Sequence, residues 1–320
     1  MQPRPPEPVP SAPEDEGVYT SLAELIDLRH RARETPLFVT PPRRSPLVGL
    51  HHSRLRGRGV DFDQVRIYQP GDDVRTIDWR VTARTQEPHT KLFHEERERP
   101  IFILVEQSHR LFFGSANLFK SVLAARAAGL IGWAALANND RVGGLVFSER
   151  DHHEIRPRRD KHSQLRLLDR LVAANRALGA GLADPADCFA QAARRAREVL
   201  RPGSLAVVLC DIRALTDAAE RQLHLLGRHV DLLLLPVSDP LDHALPAAGL
   251  LRFAQGRGRL ELDSHDHNLR LAYKQQAQAR TARWERLASQ LGVPLLPLDT
   301  HTDLIEQLRL HLGLQGGARR

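Results

Sequence analysis

From residue 101 onward the chain alternates short, uninterrupted apolar runs with helical stretches, and this alternation restricts the fold more than any other feature. The runs are IFILVEQS (101–108), DRVGGLVFS (140–148), LAVVLCD (205–211), VDLLLLPVS (230–238) and VPLLPLDT (293–300). Runs that are apolar at nearly every position, not every second one, belong to strands buried on both faces. Helical patterns fall between and after them, over 117–139, 162–178, 184–200, 217–228, 267–291 and 302–312. Strand alternating with helix predicts an α/β fold with a doubly wound, mostly parallel sheet. Ligands of such sheets sit in the crevice outside the carboxyl ends of the strands. That rule nominates Glu106, Gln107, Ser108, Ser148 and Asp211.

The first hundred residues read differently. SLAELIDLRHRARE (21–34) has apolar residues at 22, 25, 26 and 28 behind a serine, with a glutamate three positions on. This predicts a helix opened by a capping box. Residues 47–100 lack helical periodicity and predict irregular strands and turns. The opening MQPRPPEPVPSAPEDEG is proline-rich and acidic, without the apolar core of a signal peptide, and is read as a disordered lead-in. The expected organisation is a lead-in over 1–17, an N-terminal helix with a β-rich module over 18–99, an α/β domain over 100–314 and a tail over 315–320. The longest apolar stretch, AARAAGLIGWAALA (124–137), carries Arg126 and falls short of a membrane span. Cys188 and Cys210 form neither a metal-ligand pair nor a disulfide framework, which fits a reducing cytoplasm. The net charge of +7 is spread along the chain, as on solvated surfaces, whereas a nucleic-acid footprint clusters on one face. An aromatic content of 5% also argues against base stacking.

Most catalytic motifs are absent from the sequence. QSHRLFFGSANLFK, after the first apolar run, has one glycine and so no phosphate loop, and RGRG (56–59) does not precede a helix. There is no H-E-x-x-H or G-x-S-x-G, and the pairs His51–His52 and His152–His153 lack a second half at metal-ligand spacing. YQPGDDVRTIDWRVTART (68–85) concentrates Asp72, Asp73 and Asp78. These carboxylates are either a metal-dependent hydrolytic site or turn chemistry with ion pairs to Arg66, Arg75, Arg80 and Arg84. The ion-pair reading is preferred, because so many arginines compete with a bound cation. Asp78 is expected on a strand, with Trp79 anchoring the module. HEERERP (94–100) offers Glu95, Glu96 and Glu98 as general acids, and is read as a solvated edge.

SRLRGRGVDFDQVRIYQPGDDVRTIDWRVTARTQEPHTKLFHEERERPIFILVEQS resembles the signature of a bacterial family of unnamed function, DUF family 58. Arg56, Gly57, Gly59, Asp61, Phe62, Arg66, Tyr68, Gly71, Asp72, Arg75, Asp78, Trp79 and Arg84 carry the pattern. Weaker likeness extends from Val18 to Gly313. The resemblance implies a von Willebrand factor A-like fold and association with MoxR-type AAA+ ATPases, which act as chaperone-like machines on protein complexes. Many relatives carry two transmembrane helices ahead of this region, and this chain resembles the short branch without them. The fold's divalent-cation site uses D-x-S-x-S, a second-loop threonine and a later aspartate, a donor set suited to Mg²⁺. The matching positions here are Glu106, Ser108 and Arg110, then Asp211, with no threonine around 160–164. The resemblance therefore implies an altered site without Mg²⁺, in which Arg110 pairs with Glu106 or Asp211. The expected function is a non-enzymatic cytoplasmic adaptor acting with a MoxR-type ATPase. The alternatives are a hydrolase built on Asp72, Asp73 and Asp78, or a basic nucleic-acid binder.

Overall fold

The structure is a computed structural model, and it describes residues 17–34, 60–69, 74–95, 99–179, 187–255 and 258–311. The chain divides into two compact units, residues 51–98 and residues 1–50 with 99–320. In chain order, α1 (Leu22–Glu34) opens the larger unit, and β1 (Val60–Ile67), α2 (Trp79–Thr85) and β2 (His89–Glu95) form the smaller one. The larger unit resumes with β3 (Pro100–Glu106), α3 (Lys120–Ala137), β4 (Arg141–Phe147), β5 (His152–Arg158), α4 (Lys161–Arg176) and α5 (Cys188–Val199). It continues through β6 (Leu205–Asp211), α6 (Asp217–Gly227), β7 (Asp231–Ser238) and α7 (Pro240–His243). It ends with β8 (Leu250–Gln255), β9 (Gly258–Asp263), α8 (His267–Leu291), β10 (Leu298–Asp299) and α9 (Leu304–His311).

The six-stranded sheet has the order β10-β7-β6-β3-β4-β5. All its pairings are parallel except β4 with β5. The winding reverses between β3 and β6, so this is the doubly wound, mostly parallel arrangement expected. The apolar runs are explained by two cores. Ile101, Ile103 and Val105 of β3 enter one core with α1, α3, α4 and α9, while Phe102 and Leu104 enter the other with α5, α6 and α8. Among the described residues α3 is the one helix long and apolar enough to cross a membrane, and 83% of it is buried inside this fold.

One sequence expectation is corrected in the larger unit, and two further features were not anticipated. The N-terminal helix, expected to belong with the β-rich module, is part of the α/β unit. Leu25, Leu28 and Ala32 are buried there, and the Trp133 indole donates to the Leu25 carbonyl at 2.9 Å. Ser21 Oγ does cap this helix, accepting from Glu24 N at 3.2 Å, while the Glu24 carboxylate goes to Thr20 Oγ1 and Arg126. β5 was not anticipated, because most of its side chains are exposed and it shows no buried run. Residues 250–263, to which the sequence patterns assign no element, form an antiparallel hairpin, β8 with β9.

In the smaller unit β1 and β2 pair antiparallel, with a bulge between Phe62 and Gln64. Asp78 does not lie within a strand. Its carboxylate caps α2, accepting from Arg80 N at 3.0 Å and Val81 N at 3.2 Å. Trp79, expected as an anchor, is 69% exposed. Arg56, Gly57, Gly59, Gly71, Asp72, Asp73, Glu96, Glu98, His51 and His52 lie outside the described residues.

Candidate functional site

The winding reverses between β3 and β6, and the last residues of both strands, at their carboxyl ends, are buried acids. Glu106 is fully buried. Its Oε1 accepts from Ser108 Oγ at 2.5 Å and its Oε2 from Asp211 N at 2.9 Å. Burial, reinforced by the neighbouring charge of Asp211, raises the Glu106 carboxyl to about 7. Ser108 Oγ in turn accepts from Arg110 N at 3.2 Å, which opens a single 3-10 turn over His109–Leu111.

Asp211 is equally buried but behaves in the opposite sense. Burial works against its charge, yet Lys120 and Arg213 outweigh that effect and hold its carboxyl below the usual range. Lys120 Nζ lies 2.6 Å from Asp211 Oδ2 and 2.8 Å from Asp242 Oδ2. Arg213 Nε lies 3.0 Å from Asp211 Oδ1 and 3.6 Å from Asp242 Oδ1. Asp242 belongs to α7, and its Oδ2 also accepts from Asp239 N at 3.0 Å. Asp239 closes the next layer, accepting from Ser115 N at 2.8 Å, Leu241 N at 3.0 Å and Thr300 Oγ1 at 2.6 Å. At the mouth, Arg213 Nη2 donates to the Arg110 carbonyl at 3.2 Å, and Arg110 Nη1 to the Arg213 carbonyl at 3.5 Å.

The structure thus brings Glu106, Ser108 and Asp211 together, with Arg110 at the rim. It adds Lys120, Arg213 and Asp242, which the sequence reading missed. The cations closed on Asp211 are Lys120 and Arg213, while Arg110, expected to pair with Glu106 or Asp211, acts on Glu106 through its charge. Lys120 left one sequence signal: it is a lone lysine heading the apolar helix KSVLAARAAGL. Ser148 stands apart from the cluster, its Oγ accepting from the Arg150 and Asp151 amides. The stretch 160–164 lies at the opposite end of the sheet. Antiparallel β5 returns the chain there, Asp160 caps α4, and Ser163 Oγ donates to the carbonyl of Val142 near the start of β4. The threonine that reaches the acidic cluster is Thr300, after β10.

These donors do not suit the divalent cation that the fold's unaltered D-x-S-x-S pattern would hold. Asp211 Oδ2 and Asp242 Oδ2 converge on the Lys120 ammonium. Among the described residues no group of three or more His, Cys, Asp or Glu is placed to hold a metal ion. Cys210 lies at the same strand end, and burial raises its thiol well above the ordinary value, away from the reactive thiolate.

The chain matches the family described as "Protein of unknown function DUF58" over residues 64–283. It is 30% identical over 267 residues to the uncharacterized protein Rv1480 of Mycobacterium tuberculosis, covering 82% of this chain and 81% of that one. The uncharacterized protein Mb1516 of Mycobacterium bovis is similar to the same extent. Among solved structures it is similar to the conserved hypothetical protein BatB from Bacteroides thetaiotaomicron. That match has a TM-score of 0.41 and 12% identity, and covers 68% of this chain and 97% of that one. It is also similar to the SpRpn10 VWA domain, with a TM-score of 0.36 and 14% identity, covering 70% and 100%.

Proposed function

Because the chain belongs to the DUF58 family, whose function is unknown, we propose that it is a non-enzymatic, cytoplasmic adaptor. It would act with a MoxR-type AAA+ ATPase in the chaperone-like assembly or activation of a protein complex. One observation carries this reading: the polar groups at the strand ends are engaged by the chain itself. Ser108 and Glu106 are both fully buried, so this hydroxyl–carboxylate pair is out of reach of a substrate. Arg213, whose side chain is 43% exposed, and the adjoining Arg110 remain at the rim as contact residues. Guanidinium groups there suit direct recognition of a partner's acidic or carbonyl groups. The hydrolase alternative loses Asp78, whose carboxylate is spent on the α2 amides.

The test is a pull-down of the tagged chain from its native cells, with ATP and magnesium, read by mass spectrometry. An AAA+ ATPase recovered by the natural chain, and lost by a folded Arg213→Glu variant, supports the adaptor. A set of captured proteins without any such ATPase removes it. An arm with EDTA, in which the ATPase is first loaded with nucleotide, separates the ATPase's own magnesium need from the adaptor's.

A further inference from the structure

Lys120 stands where two local rules oppose it. Its side chain is 0% exposed, and withdrawing an ammonium from water is costly unless opposite charge meets it. It is also the first residue of α3, where the helix dipole disfavours a cation, and Phe119 before it supplies no side-chain cap. Violations of this kind concentrate at functional sites. What offsets them is a pair of carboxylates delivered by two other elements, Asp211 from the end of β6 and Asp242 from α7. Both approach the ammonium at hydrogen-bond distance, at the point where the sheet reverses.

We propose that this buried pair of carboxylates is a cation-binding place which the chain fills with its own Lys120 ammonium, and that it accepts a small primary alkylammonium ion when Lys120 is shortened. The charges favour that class over a divalent metal. Without Lys120, Asp211 and Asp242 face only Arg213 at ion-pair distance, and below about pH 7 the neighbouring Glu106 keeps its proton, which leaves two negative charges against one positive. One monovalent ammonium restores neutrality, whereas a divalent cation exceeds it. The inference concerns the chemistry of the site and holds whichever partner docks at the rim.

The experiment uses the full chain with Lys120→Ala, which removes the equivalent of n-propylammonium. Thermal unfolding is followed in n-propylammonium chloride, in sodium chloride at equal ionic strength, and in magnesium chloride. The variant is expected to melt below the natural chain and to be raised by propylammonium beyond the sodium control. The natural chain should not respond in this way, and adding Asp242→Asn to the variant should abolish the response. Equal melting of variant and natural chain, no gain over sodium, or a larger gain with magnesium would each overturn the proposal. So would a Mn²⁺ site in the natural chain, seen by electron paramagnetic resonance and lost in Asp211→Asn. If Lys120→Ala does not fold unaided, it is refolded from denaturant with and without the amine. Recovery only with the amine supports the proposal, and failure in both overturns it.

Discussion

Glu106 and Asp211 adjoin at the ends of neighbouring strands, yet their carboxyls move in opposite directions: burial pushes both up, the charge of Asp211 adds to it at Glu106, and Lys120 and Arg213 outweigh it at Asp211. The consequences for stability differ in sign. Glu106 rises from an ordinary 4.5 to about 7 in the fold, so the folded state holds the proton more tightly than the unfolded chain. Stability therefore falls as pH rises from 4.5 to about 7, by on the order of 3 kcal/mol in total. Asp211 is depressed, so its contribution is complete above the ordinary aspartate value and is lost as pH falls through the lower folded value. Urea unfolding between pH 4.5 and 7.5 should show the decline, and Glu106→Gln should flatten it. A slope unchanged in the variant would assign the titration to another group. Glu106, Ser108 and Asp211 were legible in the sequence because each ends, or closely follows, a buried run. Lys120 and Asp242 were not, because their meaning depends on three elements meeting, and no local pattern of side chains records that meeting.

The strands that the sequence disclosed are those buried on both faces, where each position must be apolar. β5 is mostly exposed and left no such trace, yet it makes a demand on its neighbour. A Cβ built on Gly143 of β4 would lie 2.4 Å from the Ile155 carbonyl oxygen and 2.5 Å from Pro157 N, both backbone atoms that cannot swing aside. Gly143→Ala should therefore destabilise the larger unit by about 1–3 kcal/mol, read as a lower unfolding midpoint. An unchanged midpoint would show that β5 yields. α2 was illegible for another reason: it has seven residues and buries none of them, so it carries no apolar periodicity. Its ends hold it, with Asp78 at the first turn and Gln86 left-handed (φ 61°) at the last. Asp78→Ala should cost the helix about 1 kcal/mol and speed hydrogen exchange of the Arg80 and Val81 amides. Unaltered exchange would mean that something other than the cap fixes this turn.

At the scale of the whole molecule, the larger unit is discontinuous in sequence, since residues 51–98 separate α1 from the sheet to which it contributes core. Leu25 is fully buried there, so Leu25→Ala should lower the stability of the α/β unit by about 2–5 kcal/mol and not merely fray a terminus. Circular dichroism melts would show this as a shift of the main transition, and a shift confined to a small early phase would contradict it. The change of pattern near residue 100 marked where the six-stranded sheet begins, but a helix 108 residues away from its hydrogen-bond partner Trp133 gives no local sign of where it docks. That separation also sets a timetable. At roughly 5–20 residues per second on the ribosome, α1 emerges about 5–20 s before the indole that receives it. Throughout that interval Leu25, Leu28 and Ala32 have no tertiary partner from α3. The nascent chain thus presents a short apolar stripe to any factor that surveys emerging polypeptides, and the synthesis of α3 ends the exposure.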